Sequence, residues 1–60
     1  MEIEAGQIWK LKNIKSRPNV EIVRYNKFSE LVYIKYVDSN QEFEMSQNNF
    51  LRDFERAENA

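Results

Sequence analysis

Six basic side chains stand within one stretch, KLKNIKSRPNVEIVRYNK, which runs from Lys10 to Lys27. They are Lys10, Lys12, Lys15, Arg17, Arg24 and Lys27, and the one acid among them is Glu21. Cations at that density can neutralise phosphates, and binding through them would weaken steeply with salt. Tyr25 and Phe28 lie within or just past the stretch, so a ring could stack on a base while the cations hold the backbone. The same lysines also suit a second purpose, because charges flanking apolar strands keep strand edges from pairing with other chains. The charge balance weighs on both sides. The chain has a net charge of −1 and a pI near 5.3, whereas dedicated nucleic-acid binders run basic. Yet residues 10–27 carry +5 and residues 38–60 carry −4, which divides the chain into a basic first half and an acidic second half.

Other reactive chemistry is sparse. Glu2 with Glu4, and Glu42 with Glu44, are carboxylates two apart, which point the same way on a strand. Such pairs can serve as an acid–base dyad, but at a surface they act far more often as solvated charge or edge protection. With no His and no Cys, the commonest general base and the thiol nucleophile are missing, and so are the usual zinc ligands. One Gly leaves no glycine-rich loop to cradle phosphate. A chain of sixty residues leaves little room for a pocket of ~300 Å³ lined on every side. The expectation is a protein that is not an enzyme, with no cofactor, no metal and no small-molecule substrate.

The elements that must position these residues follow from periodicity. Gly6 marks a turn, and residues 7–12 (QIWKLK) read as a strand with Trp9 and Leu11 on one face. Residues 13–19 (NIKSRPN) read as a loop, in which Pro18 disfavours helix at Arg17. Residues 20–25 (VEIVRY) form a β-branched strand that places Arg24 on the face of Val20 and Ile22. A turn over 26–30 (NKFSE) leads into 31–37 (LVYIKYV), the strongest strand signal, apolar on both faces. A four-residue turn at 38–41 leads to a short strand at 42–45, with Phe43 and Met45 inward. Then the period changes. Phe50, Phe54 and Ala57 recur at helical spacing, Leu51 widens the stripe, and Ser46 suits an N-cap, so 47–58 reads as a helix.

With no disulfide possible, stability must come from packing, for which eight aromatics are available. Short antiparallel strands in so few residues must curl to hide their edges. The expected fold is mainly β: one domain over residues 1–60, a small SH3-like antiparallel barrel of four to five strands with a short C-terminal helix. The acidic opening MEIEAGQ has no apolar segment of the signal-peptide kind, and no apolar run nears the ~20 residues of a membrane span. The absence of Cys permits a reducing compartment, so the expected location is cytoplasmic.

Gly6 with Ile8–Trp9, the VxIV of Val20 to Val23, an apolar strand ending in Tyr36–Val37 and the closing FLxxF of Phe50 to Phe54 carry a resemblance. Together they resemble the small SH3-like barrel proteins of phages and other mobile elements, and more loosely Tudor- and KOW-type barrels. The resemblance covers roughly residues 5–54 and implies a binding module without naming its ligand. The site residues it leaves open are Lys10, Lys12, Lys15, Arg17, Arg24, Lys27 and Phe28. If the first two strands are neighbours, Lys10, Lys12 and Arg24 share a face, with Lys15 and Arg17 on the loop above. Phe28 lies in a polar turn where core demand is weakest, which makes it a candidate protein-contact anchor. The leading expectation is a non-catalytic accessory protein that binds a larger, nucleic-acid-handling protein. The alternative is direct nucleic-acid binding through residues 10–27.

Overall fold

The computed structural model describes residues 3–14 and 16–57. Its element order is β1 (Ile8–Leu11), β2 (Val20–Asn26), β3 (Leu31–Tyr36), β4 (Glu42–Ser46), α1 (Gln47–Asp53) and β5 (Phe54–Arg56). The strands form one antiparallel sheet in the order β4-β3-β2-β1-β5. β1 to β4 meander, and α1 carries the chain back so that β5 lands on the free side of β1. This is the mainly β architecture expected, with five short antiparallel strands and one short helix near the C-terminus.

The core follows from the period-two faces. Trp9, Val20, Ile22, Val32, Ile34 and Phe50 are fully buried, with Ile3 and Phe54 packed beside them. Leu11, Tyr25, Tyr36, Met45 and Leu51 close over this cluster. The Trp9 indole N–H is not left unpaired, because it donates to Gln7 Oε1 at 3.0 Å. Gly6 has a φ of +93° and donates its N–H to the Ile22 carbonyl at 2.9 Å, so the turn before β1 sits where a side chain would strain it.

Two expectations are corrected. The helix stops at Asp53 rather than continuing to residue 58. Phe54 is already extended, with a φ of −119° and a ψ of 156°, and β5 pairs Leu11 with Phe54 and Trp9 with Arg56. Phe54 and Ala57 are buried as their spacing implies, but as strand and post-strand residues. Pairing as β5 closes the edge of β1, whose backbone groups a continued helix would leave without a ladder partner. Residue 58 of the expected helix lies outside the described residues.

The second correction concerns Arg24. The β2–β3 register pairs Ile22 with Ile34 but Arg24 with Tyr33, so a bulge absorbs Val23. The bulge moves Arg24 to the outer face and turns Tyr25 inward, the reverse of simple alternation. Tyr25 then packs on the core and donates its hydroxyl hydrogen to Gln47 Oε1 on α1. Bulging avoids burying a guanidinium, which would cost several kcal/mol (about that order for an unpaired ion).

Candidate interaction surfaces at the two ends of the sheet

The connection from β1 to β2 gathers part of the basic stretch. Lys10, Leu11, Lys12, Ile14, Arg17, Asn19 and Glu55 line a shallow groove of about 230 Å³. Lys10 is held by Glu55 across the β1–β5 ladder, with Nζ–Oε2 at 3.8 Å. Arg17 is aimed by β3, where its Nη2 donates to the Tyr36 hydroxyl at 3.1 Å and its guanidinium carbon lies 6.0 Å from the ring centroid. Neither Lys12 nor Arg17 has a carboxylate within 4.0 Å among the described residues. The groove therefore carries net positive charge, three cations against the one carboxylate of Glu55 among its lining residues.

Beside it, a second depression of about 280 Å³ is lined by Leu11, Lys12, Asn13, Ile14, Arg52 and Asp53. Arg52 donates to Asp53 from Nε at 2.9 Å and from Nη2 at 3.1 Å. Those bonds hold the Asp53 carboxyl below the usual carboxylate range, and the nearby Lys12 charge adds to the effect. The Lys12 N–H donates to the Asp53 carbonyl at 2.9 Å, which ties the loop to the end of α1.

The remaining candidates lie elsewhere. Lys15 is outside the described residues. Arg24 stands over the Tyr33 ring on the outer face, 4.3 Å from its centroid, and lines neither groove. Lys27 and Phe28 occupy the β2–β3 turn, at the opposite end of β2 from the loop. The seven residues of β2 set these ends roughly 20 Å apart at about 3.3 Å per residue. The convergence expected of the basic residues thus holds for Lys10, Lys12 and Arg17, and fails for Arg24: the bulge at Val23 brings it to the outer face that Lys10 shares, but it stands further along β2, past the Ile8–Glu21 pair where β1 begins.

At that far end Phe28 is 92% exposed. It is not on a slack loop. Asn26 Oδ1 accepts the N–H of Phe28 at 2.9 Å and of Ser29 at 3.2 Å, which folds the turn around its own side chain. Glu30 closes the turn in the left-handed region, with a φ of 59°, and its carbonyl accepts the Gln47 N–H at 2.8 Å. The ring is thereby offered to solvent on an ordered support.

Three contributors lie outside the candidate site residues of the basic stretch: Ile14, Tyr36 and Glu55. Ile14 is 48% exposed and lines both depressions. Its signal in the sequence is the one that marks Phe28, a large apolar residue in a polar loop. Tyr36 and Glu55 act through partners distant in sequence, which no local pattern discloses. No three His, Cys, Asp or Glu side chains cluster to hold a metal ion among the described residues. Among them, too, no helix is long and apolar enough to cross a membrane. Compared with protein-family models, curated proteins and solved structures, the chain matches none.

Proposed function

We propose that this protein is a non-catalytic interaction module that binds a larger, nucleic-acid-handling protein through the β2–β3 turn. The observation that carries this reading is Phe28, almost wholly exposed on a turn that Asn26 pre-forms. An exposed aromatic on an ordered support has the makings of an interface anchor, since little ordering entropy remains to be lost on binding. The basic groove at the other end of β2 supports the second part of the proposal, because it stays free to approach phosphate while Phe28 meets protein. The test is capture of partners from a cell lysate by the wild type and by Phe28→Ala, each with and without nuclease. A nuclease-resistant partner that the wild type holds and Phe28→Ala loses, with unchanged thermal melting, is the expected result. Equal capture by both would overturn the proposal.

A second reading, direct nucleic-acid binding, is favoured by the convergence of Lys10, Lys12 and Arg17, with no carboxylate within 4.0 Å of Lys12 or Arg17 among the described residues. It requires a labelled single-stranded oligonucleotide to bind with a steep salt dependence. Salt-insensitive binding, or none at low salt, would remove it.

A further inference from the structure

We infer that the free edge of β4 is a strand-addition site for an extended partner segment in which Lys or Arg alternates with apolar residues. β4 has β3 as its one ladder partner among the described residues, so its other side is a sheet edge. Two bonds fix which groups that edge offers. Tyr36 N–H donates to the Gln41 carbonyl at 3.0 Å, and Gln47 N–H donates to the Glu30 carbonyl at 2.8 Å. Both pairs belong to the β3–β4 register, which also matches Lys35 with Glu42 and Tyr33 with Glu44. Hydrogen-bonded and non-bonded pairs alternate in an antiparallel ladder. Gln41, Phe43 and Met45 therefore turn their backbone groups toward β3, while Glu42 and Glu44 turn their N–H and C=O groups away from it. An added strand would find those groups ready.

The side chains specify the chemistry of the strand. Glu42 and Glu44 are exposed, and neither has a cation within 4.0 Å among the described residues. Lys35, opposite Glu42 in register, is engaged by Glu21 at 4.0 Å. On the other face of β4, Phe43 remains 39% exposed and Met45 is half-buried. A strand laid along this edge thus meets carboxylates on one face and apolar surface on the other, with a period of two. Alternating cationic and apolar residues match both. A second copy of β4 does not match. Antiparallel self-pairing sets Glu44 against Glu44 or Glu42 against Glu44 on the outer face, and like charges directly opposite are destabilising. The acids that block self-association select a basic strand.

The probe is an acetylated, amidated peptide of alternating Lys and Val, with a control of the same composition that groups its lysines at one end. Binding is followed by amide hydrogen exchange on the isotope-labelled protein. The alternating peptide is expected to slow exchange at Glu42 and Glu44 by about tenfold or more, and the grouped control to leave it unchanged. Glu44→Pro removes an N–H that β3 does not use, so the variant is expected to keep its far-ultraviolet circular dichroism and lose the peptide. If Glu44→Pro does not fold, the exposed double substitution Glu42→Lys with Glu44→Lys decides, with an expected affinity loss of tenfold or more. Equal protection by the grouped control would overturn the inference, as would peptide binding that survives both variants. Concentration-dependent protection of Glu42 and Glu44 without peptide would also overturn it, by showing that the edge pairs with a second copy.

Discussion

Trp9 and Phe50 meet with ring centroids 4.7 Å apart and planes inclined at 59°, and both rings are fully buried. The contact joins β1 to α1, and Phe54 extends it, stacked on Phe50 with centroids 4.9 Å apart. Three aromatics thus form a column that fixes the helix and brings β5 to β1. Truncating a buried Phe costs about 3–5 kcal/mol. At typical per-residue values, a sixty-residue domain carries roughly 3–9 kcal/mol in all. Phe50→Ala is therefore expected to leave the chain largely unfolded at 25 °C, while Phe50→Leu retains a measurable transition. Urea denaturation followed by Trp9 fluorescence checks both. A Phe50→Ala midpoint close to the wild type would show that the column is not the centre of the core.

The same column shows what the sequence discloses and where it stops. Strand positions were legible from the period of two, and Met45 packs on the core as expected, but Phe43, expected inward beside it, stays 39% exposed at the sheet edge, and a strand apolar on both faces did not disclose that Val32 and Ile34 take the core. Phe50, Phe54 and Ala57 were legible as buried, but their spacing of four and three fits either a helix or a helix turning into a strand. What decides is the vacant edge of β1, a feature of tertiary structure. The bulge at Val23 is the converse case. Val20, Glu21 and Ile22 alternate, Ile22–Val23 interrupts the alternation with two apolar residues in a row, and the single extra residue there reverses the face of everything after it. A local clue was present, since regular alternation would have put Arg24 on the face of Ile22. Arg17 could be placed on its loop, but its orientation depends on Tyr36, nineteen positions away.

Asn26 supports Phe28 through two hydrogen bonds. Asn26→Ala is expected to cost about 1–2 kcal/mol, at roughly 1 kcal/mol per exposed bond, which is a visible share of the total. Phe28→Ala, which removes a ring that buries almost nothing, should stay within about 0.5 kcal/mol of the wild type. Paired urea titrations separate the two, and faster amide exchange at Phe28 and Ser29 in Asn26→Ala would locate the loss. If Phe28→Ala were the more damaging substitution, the ring would be packing on the fold rather than facing a partner.

The Arg52–Asp53 pair predicts a dependence on acid. Asp53 titrates lower in the folded protein than in the unfolded chain, chiefly because Arg52 donates to its carboxylate. A depressed carboxyl pKa contributes stability in full above the unfolded value, about 3.9, and loses it as pH falls through the folded value. The contribution is modest, because the pair is exposed and screened by salt. Between about pH 5 and pH 2 the wild type should lose more stability than Asp53→Asn, and the gap should narrow in roughly 1 M salt. Carboxyl chemical shifts of Asp53 give its folded pKa directly. A value at or above the unfolded one would contradict the pairing.

Of the two arginines in the basic stretch, one lines the groove. Arg17 lines the groove with Lys10 and Lys12, whereas Arg24 stands over Tyr33 on the outer face. If the groove takes a polyanion, Lys12→Glu with Arg17→Glu should lower oligonucleotide affinity by tenfold or more at low salt and flatten the salt dependence, since each lost phosphate contact removes released counterions. Arg24→Glu changes the net charge by half as much and leaves the groove intact, so its effect should be within about threefold, a long-range charge effect alone. The comparison is informative because charge alone does not distinguish Arg17 from Arg24. Sequence puts both in one basic stretch, and the length of β2 separates them, with Arg17 in the loop before Val20 and Arg24 opposite Tyr33 near the far end. Equal losses from Arg17→Glu and Arg24→Glu as single substitutions would mean that binding reads overall charge, and the groove would no longer be needed to explain it.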